Sequence, residues 1–204
     1  MSKRFAFMFV LLIIVLSGCS WLYQSGTKNG SSSEASDNLV VPSFDYMNQD
    51  GESFGTKDLE GQLWVANMVF TRCPTVCTTM TPNFMVLQNT LAEEGLDVRL
   101  VSFTVDPEFD NPERLRKYGE NNGADFTRWT FVTGYSLEEM EAFALEAFKA
   151  PVMQVPEKED IMHTTKFFLV NEEGKIIGGY NGLTPDPDPI IKDIKAHLES
   201  KSNE

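Results

Sequence analysis

At 204 residues with a formal net charge of −13, the chain is long enough for one domain with a full core and too short for two comfortable ones. Its 30 acidic against 17 basic residues argue against a nucleic-acid partner and against electrostatic docking on anionic lipid. With three cysteines in all, each thiol bears on compartment and chemistry.

The first residues, MSKRFAFMFVLLIIVLSGCS, place Lys3 and Arg4 before an apolar run from Phe5 to Leu16, the layout of a secretory signal. That run is too short to span a hydrocarbon core of ~30 Å. Leu16-Ser17-Gly18-Cys19 resembles the bacterial lipobox, in which the cysteine becomes the lipidated first residue after cleavage. Residues 1–18 then form a lipoprotein signal peptide. The resemblance implies that Cys19 anchors the chain to the outer face of the cytoplasmic membrane, where lipidation removes it from an otherwise odd thiol count. Residues 19–38 are polar and rich in Gly and Ser, a flexible tether with too few large apolar groups to offset the entropy of ordering it. The folded domain is expected over residues 39–204.

Within it, short apolar patches around Gln49-Asp50-Gly51 predict a small N-terminal hairpin. Leu63 to Phe70, LWVANMVF, is nearly continuously apolar and reads as a strand buried on both faces. Phe84, Leu87 and Leu91 then recur at helical spacing until Gly95. Val98 to Val105 is a second buried strand, ended by Asp106-Pro107. Asn111-Pro112 signals a capped helix start, WTFVTG a third strand, and Ser136 with Glu139 a capping box. KFFLV, NEEG and KIIGGY form an antiparallel hairpin, and PIIKDIKAHLES is a final amphipathic helix. This alternation predicts an α/β fold with a mostly parallel sheet, helices on both faces and one antiparallel edge.

Cys73 and Cys77 sit in the turn between the first long strand and its helix, the placement seen in thioredoxin-like folds and the end of a sheet where ligand chemistry collects. A helix N-terminus lowers thiol pKa. Spacing i, i+4 brings two sulfurs near enough for a disulfide or for one metal ion, leaving a redox pair, a metal clamp, or both. A purely structural disulfide is disfavoured, because so short a loop removes little chain entropy.

Phe70-Thr71-Arg72-Cys73-Pro74-Thr75-Val76-Cys77 resembles the F-T-x-C-P-x-V-C motif of the Sco (SenC) proteins, and Val105-Asp106-Pro107 with Asp110 resembles their V/I-D-P-x-x-D. The similarity runs in order from about Phe44 to Leu198. It implies a thioredoxin-like fold with an N-terminal β-hairpin extension, and copper held by Cys73, Cys77 and His163, the last matching the family's ligand histidine. Two positions depart from the pattern: Thr78 stands where Pro is usual, and Met162 where Asp precedes the histidine. Met162 is either a core filler or a soft auxiliary ligand. Asp106 either poises the cysteines or caps the next turn. His197 is assigned only to favourable charge at a helix C-terminus.

Two thiolates favour Cu(I), and an added imidazole suits Cu(II); zinc accepts the same donors. The resemblance implies delivery of copper to the binuclear CuA centre of cytochrome c oxidase, with the CuA-bearing subunit and a thiol reductant protein as partners. The rival is a membrane-anchored thiol-disulfide oxidoreductase acting on the CuA cysteines. Peroxide reduction carries little weight, since Thr71 stands two residues before Cys73 where peroxiredoxins place theirs three before.

Overall fold

A computed structural model describes residues 39–73, 75–155 and 160–202. The expected signal peptide, Cys19 and the tether lie outside the described residues, as does Pro74.

Among the described residues, strand β3 (Trp64–Val69) lies inside a seven-stranded sheet, where it pairs in parallel with β4 (Arg99–Thr104) and antiparallel with β8 (Lys166–Val170). Its period of two splits the core. Trp64, Ala66, Met68 and the following Phe70 join one apolar cluster, while Val65 and Val69 join the other. Strand β5 (Trp129–Thr133) extends the parallel set beside β4, and β9 (Ile176–Asn181) closes the far edge against β8.

Helix α3 (Leu137–Phe148) covers the first face through Met140, Phe143, Ala144, Ala147 and Phe148. Its start is the predicted capping box, with Ser136 and Glu139 each bonded to the other's backbone N–H. The second face is covered by α1 (Cys77–Glu93), α2 (Pro112–Asn121) and α4 (Asp188–Ser202), which bury Phe84, Leu87, Leu115, Ile190 and Ile194. Asn111 caps α2 by accepting from the Arg114 N–H at 2.9 Å.

The sheet has two antiparallel edges where one was expected. The N-terminal hairpin, β1 (Asp45–Asn48) and β2 (Ser53–Gly55), is not a free extension, because β1 pairs with β5 through Met47–Thr133 and Asn48–Val132. Gly134 makes this possible: its φ is +88°, and a Cβ there would lie 2.8 Å from that of Met47. A two-stranded ribbon, β6 (Met153–Val155) with β7 (Asp160–Met162), was not anticipated; it sits between α3 and β8 in the chain and leads directly to His163.

Candidate metal and redox site

The chain leaves β3 at Val69, and Phe70, fully buried, ends the run that packs the first face. The cysteine loop beyond it is held from below by a buried carboxylate. Asp110, with no exposed surface, accepts from the Thr71 N–H at 3.0 Å, the Thr71 hydroxyl at 2.5 Å and the Thr104 hydroxyl at 2.6 Å. Burial pushes its carboxyl above the usual carboxylate range, against the pull of the two threonines. The Asp106 side chain binds Nε of Arg72, the residue before Cys73, at 2.6 Å, while its backbone oxygen closes the turn to Phe109 and Asp110. Arg72 also lies over the Phe109 ring, 4.5 Å from its centroid. Thr71 and Arg72, which lead into Cys73, are thus both tied to the loop after β4.

Cys73 is half-buried and Cys77 buried, and both are free thiols. Helix α1 begins without a side-chain cap on Val76; instead the Cys77 N–H points at Cys73 Sγ, 3.4 Å away. The sulfur therefore occupies the place of an N-cap acceptor, where the orphan N–H groups and the helix dipole favour negative charge. The Cys77 thiol is the largest stabiliser of that charge, with the backbone N–H groups of Cys77 and Thr75 adding to it against the cost of burial, so that the Cys73 thiol is held down to about 3. Cys77 moves the opposite way, because its proton bonds the neighbouring thiolate and its surroundings are apolar. Of the two, Cys73 is the thiol that ionises first.

His163 follows β7 and packs edge-on against Phe70, ring centroids 5.8 Å apart. Its Nδ1 lies 2.8 Å from the Thr164 carbonyl oxygen, which only accepts, so Nδ1 carries the proton. Among the described residues Nε2 is buried and without a hydrogen-bond partner. The Thr75 hydroxyl lies 3.6 Å from Cys73 Sγ and 3.5 Å from Asp160 Oδ2 on β7, linking the cysteine loop to the ribbon that delivers the histidine. Cys73, Cys77 and His163 thus share one neighbourhood, although among the described residues no three His, Cys, Asp or Glu side chains stand in finished metal-binding geometry. The donors suit a soft ion: two sulfurs, one of which ionises readily, and an imidazole nitrogen that no other described residue engages.

Met162 is not a core filler, since it is 49% exposed. His197 belongs elsewhere, with Nε2 on Glu172 at 2.9 Å, so a specific carboxylate and not only the helix dipole accounts for it. The links from Arg72 to Asp106 and from Thr71 to Asp110 carried no sequence signal as pairs. Their one trace is the V-D-P-x-x-D spacing, which places both carboxylates in one turn after β4.

A parallel-centred sheet, helices on both faces and a cysteine pair where the inner strand β3 meets its helix define a thioredoxin-like protein. The sequence profile of the SCO1/SenC family matches residues 32–199, and the chain belongs to that family. It is 44% identical over 161 residues to the SCO1 protein homolog of Bacillus subtilis, covering 78% of this chain and 83% of that one. Its fold resembles that of a SCO1/SenC family lipoprotein from Bacillus anthracis (TM-score 0.75, 42% identity, 78% of this chain and 95% of the other). It also resembles BsSco, described as having a disulfide switch and as a member of the Sco family of cytochrome c oxidase assembly proteins (TM-score 0.72, 41% identity, 78% and 93% covered).

Proposed function

We propose that this chain is a copper-binding assembly factor that delivers the ion to the CuA centre of a cytochrome c oxidase, with Cys73, Cys77 and His163 as ligands and lipidated Cys19 as its anchor on the outer face of the cytoplasmic membrane. The observation that carries the reading is the donor set: a thiol that ionises readily, a second thiol that shares its proton with it, and, among the described residues, an unpartnered imidazole nitrogen, with the cysteine loop and the histidine's ribbon linked through Thr75. Thiolates hold Cu(I), and the added nitrogen makes the set competent for Cu(II) as well. Joined as a disulfide, the two sulfurs lose their thiolate character, so a thiol reductant protein belongs among the partners along with the CuA-bearing subunit. The anchor reading draws on the LSGC motif and on the similarity to a Bacillus anthracis lipoprotein.

The asymmetry of the pair favours a second reading, reduction of the CuA cysteines. A low-pKa, half-exposed thiolate beside a buried thiol is the attacking-and-resolving arrangement of disulfide exchange. Growth separates the two. Deleting the gene lowers assembly of the CuA-type oxidase and spares an oxidase without that centre. Added copper restores activity if delivery is the role, because mass action replaces a missing carrier. Rescue by a small-molecule thiol, with no response to copper, moves the protein to the oxidoreductase class.

A further inference from the structure

The ribbon that carries His163 holds two thioethers outside the donor set of the cysteines and the histidine. Met153 and Met162 are directly opposite one another in the antiparallel β6–β7 register, so their side chains leave the same face of the ribbon as neighbours. They are 48% and 49% exposed, where a methionine serving the core would be covered. Their face is the one that meets the cysteine loop: Asp160 stands two residues before Met162 on β7, so it shares that face, and its carboxylate lies 3.5 Å from the Thr75 hydroxyl. On the opposite face Ile161 enters the core. Met162 and His163 also line one groove of about 460 Å³, together with Thr164, Lys166 and Phe168.

We propose that Met153 and Met162 form a second, weaker Cu(I) site, a pair of thioethers that collects the ion beside the cysteine loop and passes it to Cys73 and Cys77. The inference rests on the copper reading of the main site. Neutral thioethers select Cu(I) over harder or higher-charged ions and bind it less tightly than thiolates, so the ion runs downhill from the ribbon to the cysteines. The hand-over is a ligand exchange without redox: Cu–S(thioether) bonds break as Cu–S(thiolate) bonds form, the metal stays Cu(I), and the Cys77 proton leaves to solvent.

The test uses the full chain in detergent, without oxygen, with Cu(I)–bicinchoninate as the copper source. Methionine methyl groups are labelled with carbon-13. In a Cys73→Ser/Cys77→Ser chain, Cu(I) shifts two methyl resonances together, and Met153→Leu and Met162→Leu assign them. No shift, or shifts at other methionines, overturns the site. In the chain that keeps both cysteines, Met153→Leu/Met162→Leu slows copper uptake by stopped flow about tenfold, the loss expected when supporting ligands of a metal path are removed. An unchanged rate overturns the relay. Leu conserves volume, so an unchanged thermal melt separates this effect from misfolding. Normal uptake at the cysteines with no methyl shift sinks the thioether site alone, whereas a chain whose cysteines take up no Cu(I) sinks the copper reading beneath it.

Discussion

If Cys73 caps helix α1 as a thiolate, its reaction with iodoacetamide has an unusual pH profile, and the profile distinguishes it better than speed does. An ordinary thiol with a pKa of ~8.5 is only about one part in 3,000 thiolate at pH 5. Cys73, held down to about 3, is almost fully ionised there. Lower basicity also lowers nucleophilicity, with a Brønsted coefficient of about 0.4–0.5, so the drop from ~8.5 costs roughly 300-fold in intrinsic reactivity. The two effects nearly offset: Cys73 reacts about 10-fold faster than an ordinary thiol at pH 5 and about 100-fold slower at pH 8. Its rate is therefore flat from pH 5 to 8. Mass spectrometry should place the first label on Cys73, since Cys77 is 4% exposed. Cys77→Ala should raise the pKa of Cys73, because the Cys77 thiol is its largest stabiliser. A rate that climbs about tenfold per pH unit up to pH 8, or labelling that begins at Cys77, refutes the ionisation of Cys73 before Cys77.

Cys73→Ala or Cys77→Ala should abolish tight copper binding in a chelator competition, while His163→Ala should weaken Cu(II) binding strongly and spare part of the Cu(I) binding; equal loss of both oxidation states contradicts that division. Cys19→Ala should leave the protein without lipid by mass spectrometry and release it from membranes. Asp110→Ala strips acceptors from the Thr71 N–H and from the Thr71 and Thr104 hydroxyls, and should cost about 3 kcal/mol in urea unfolding, with Asp110→Asn milder because its amide oxygen still accepts.

Strands β3 to β5 and helices α1 to α3 are legible in the sequence because their signals are local: apolar runs of strand length, Asn111-Pro112, and the Ser136–Glu139 box. Pairing across distance is not. Nothing in DYMN says that β1 will lie against β5, and MQV and DIM are too short to show a period at all. The candidate site divides the same way. The cysteine pair announces itself by spacing and by its place after a buried strand. His163 carries no such mark, since its partners are a neighbouring carbonyl and a ring 93 positions earlier in the chain, Phe70. Met162 is ambiguous in sequence because its role turns on exposure, and exposure depends on a ribbon the sequence does not reveal. The clamp under the cysteine loop spans 34 and 39 residues, too far for any local pattern to register.

The missing side-chain cap on α1 makes the first turn of that helix a reporter of cysteine chemistry. An ordinary cap is a permanent fixture, whereas here the acceptor is a sulfur whose charge can be withdrawn by alkylation, by a disulfide or by a bound ion. Each of these takes electron density from the atom facing the Cys77 N–H, and the amides behind it, at Thr78 and Thr79, fray more readily. Pro82 lies just beyond and has no N–H to give the Thr78 carbonyl, so the first turn gains little support from the second. Amide hydrogen exchange confined to Cys77, Thr78 and Thr79 would then read out the state of the pair, and a docking partner that feels the start of α1 could tell a loaded or oxidised protein from a free, reduced one without touching either sulfur.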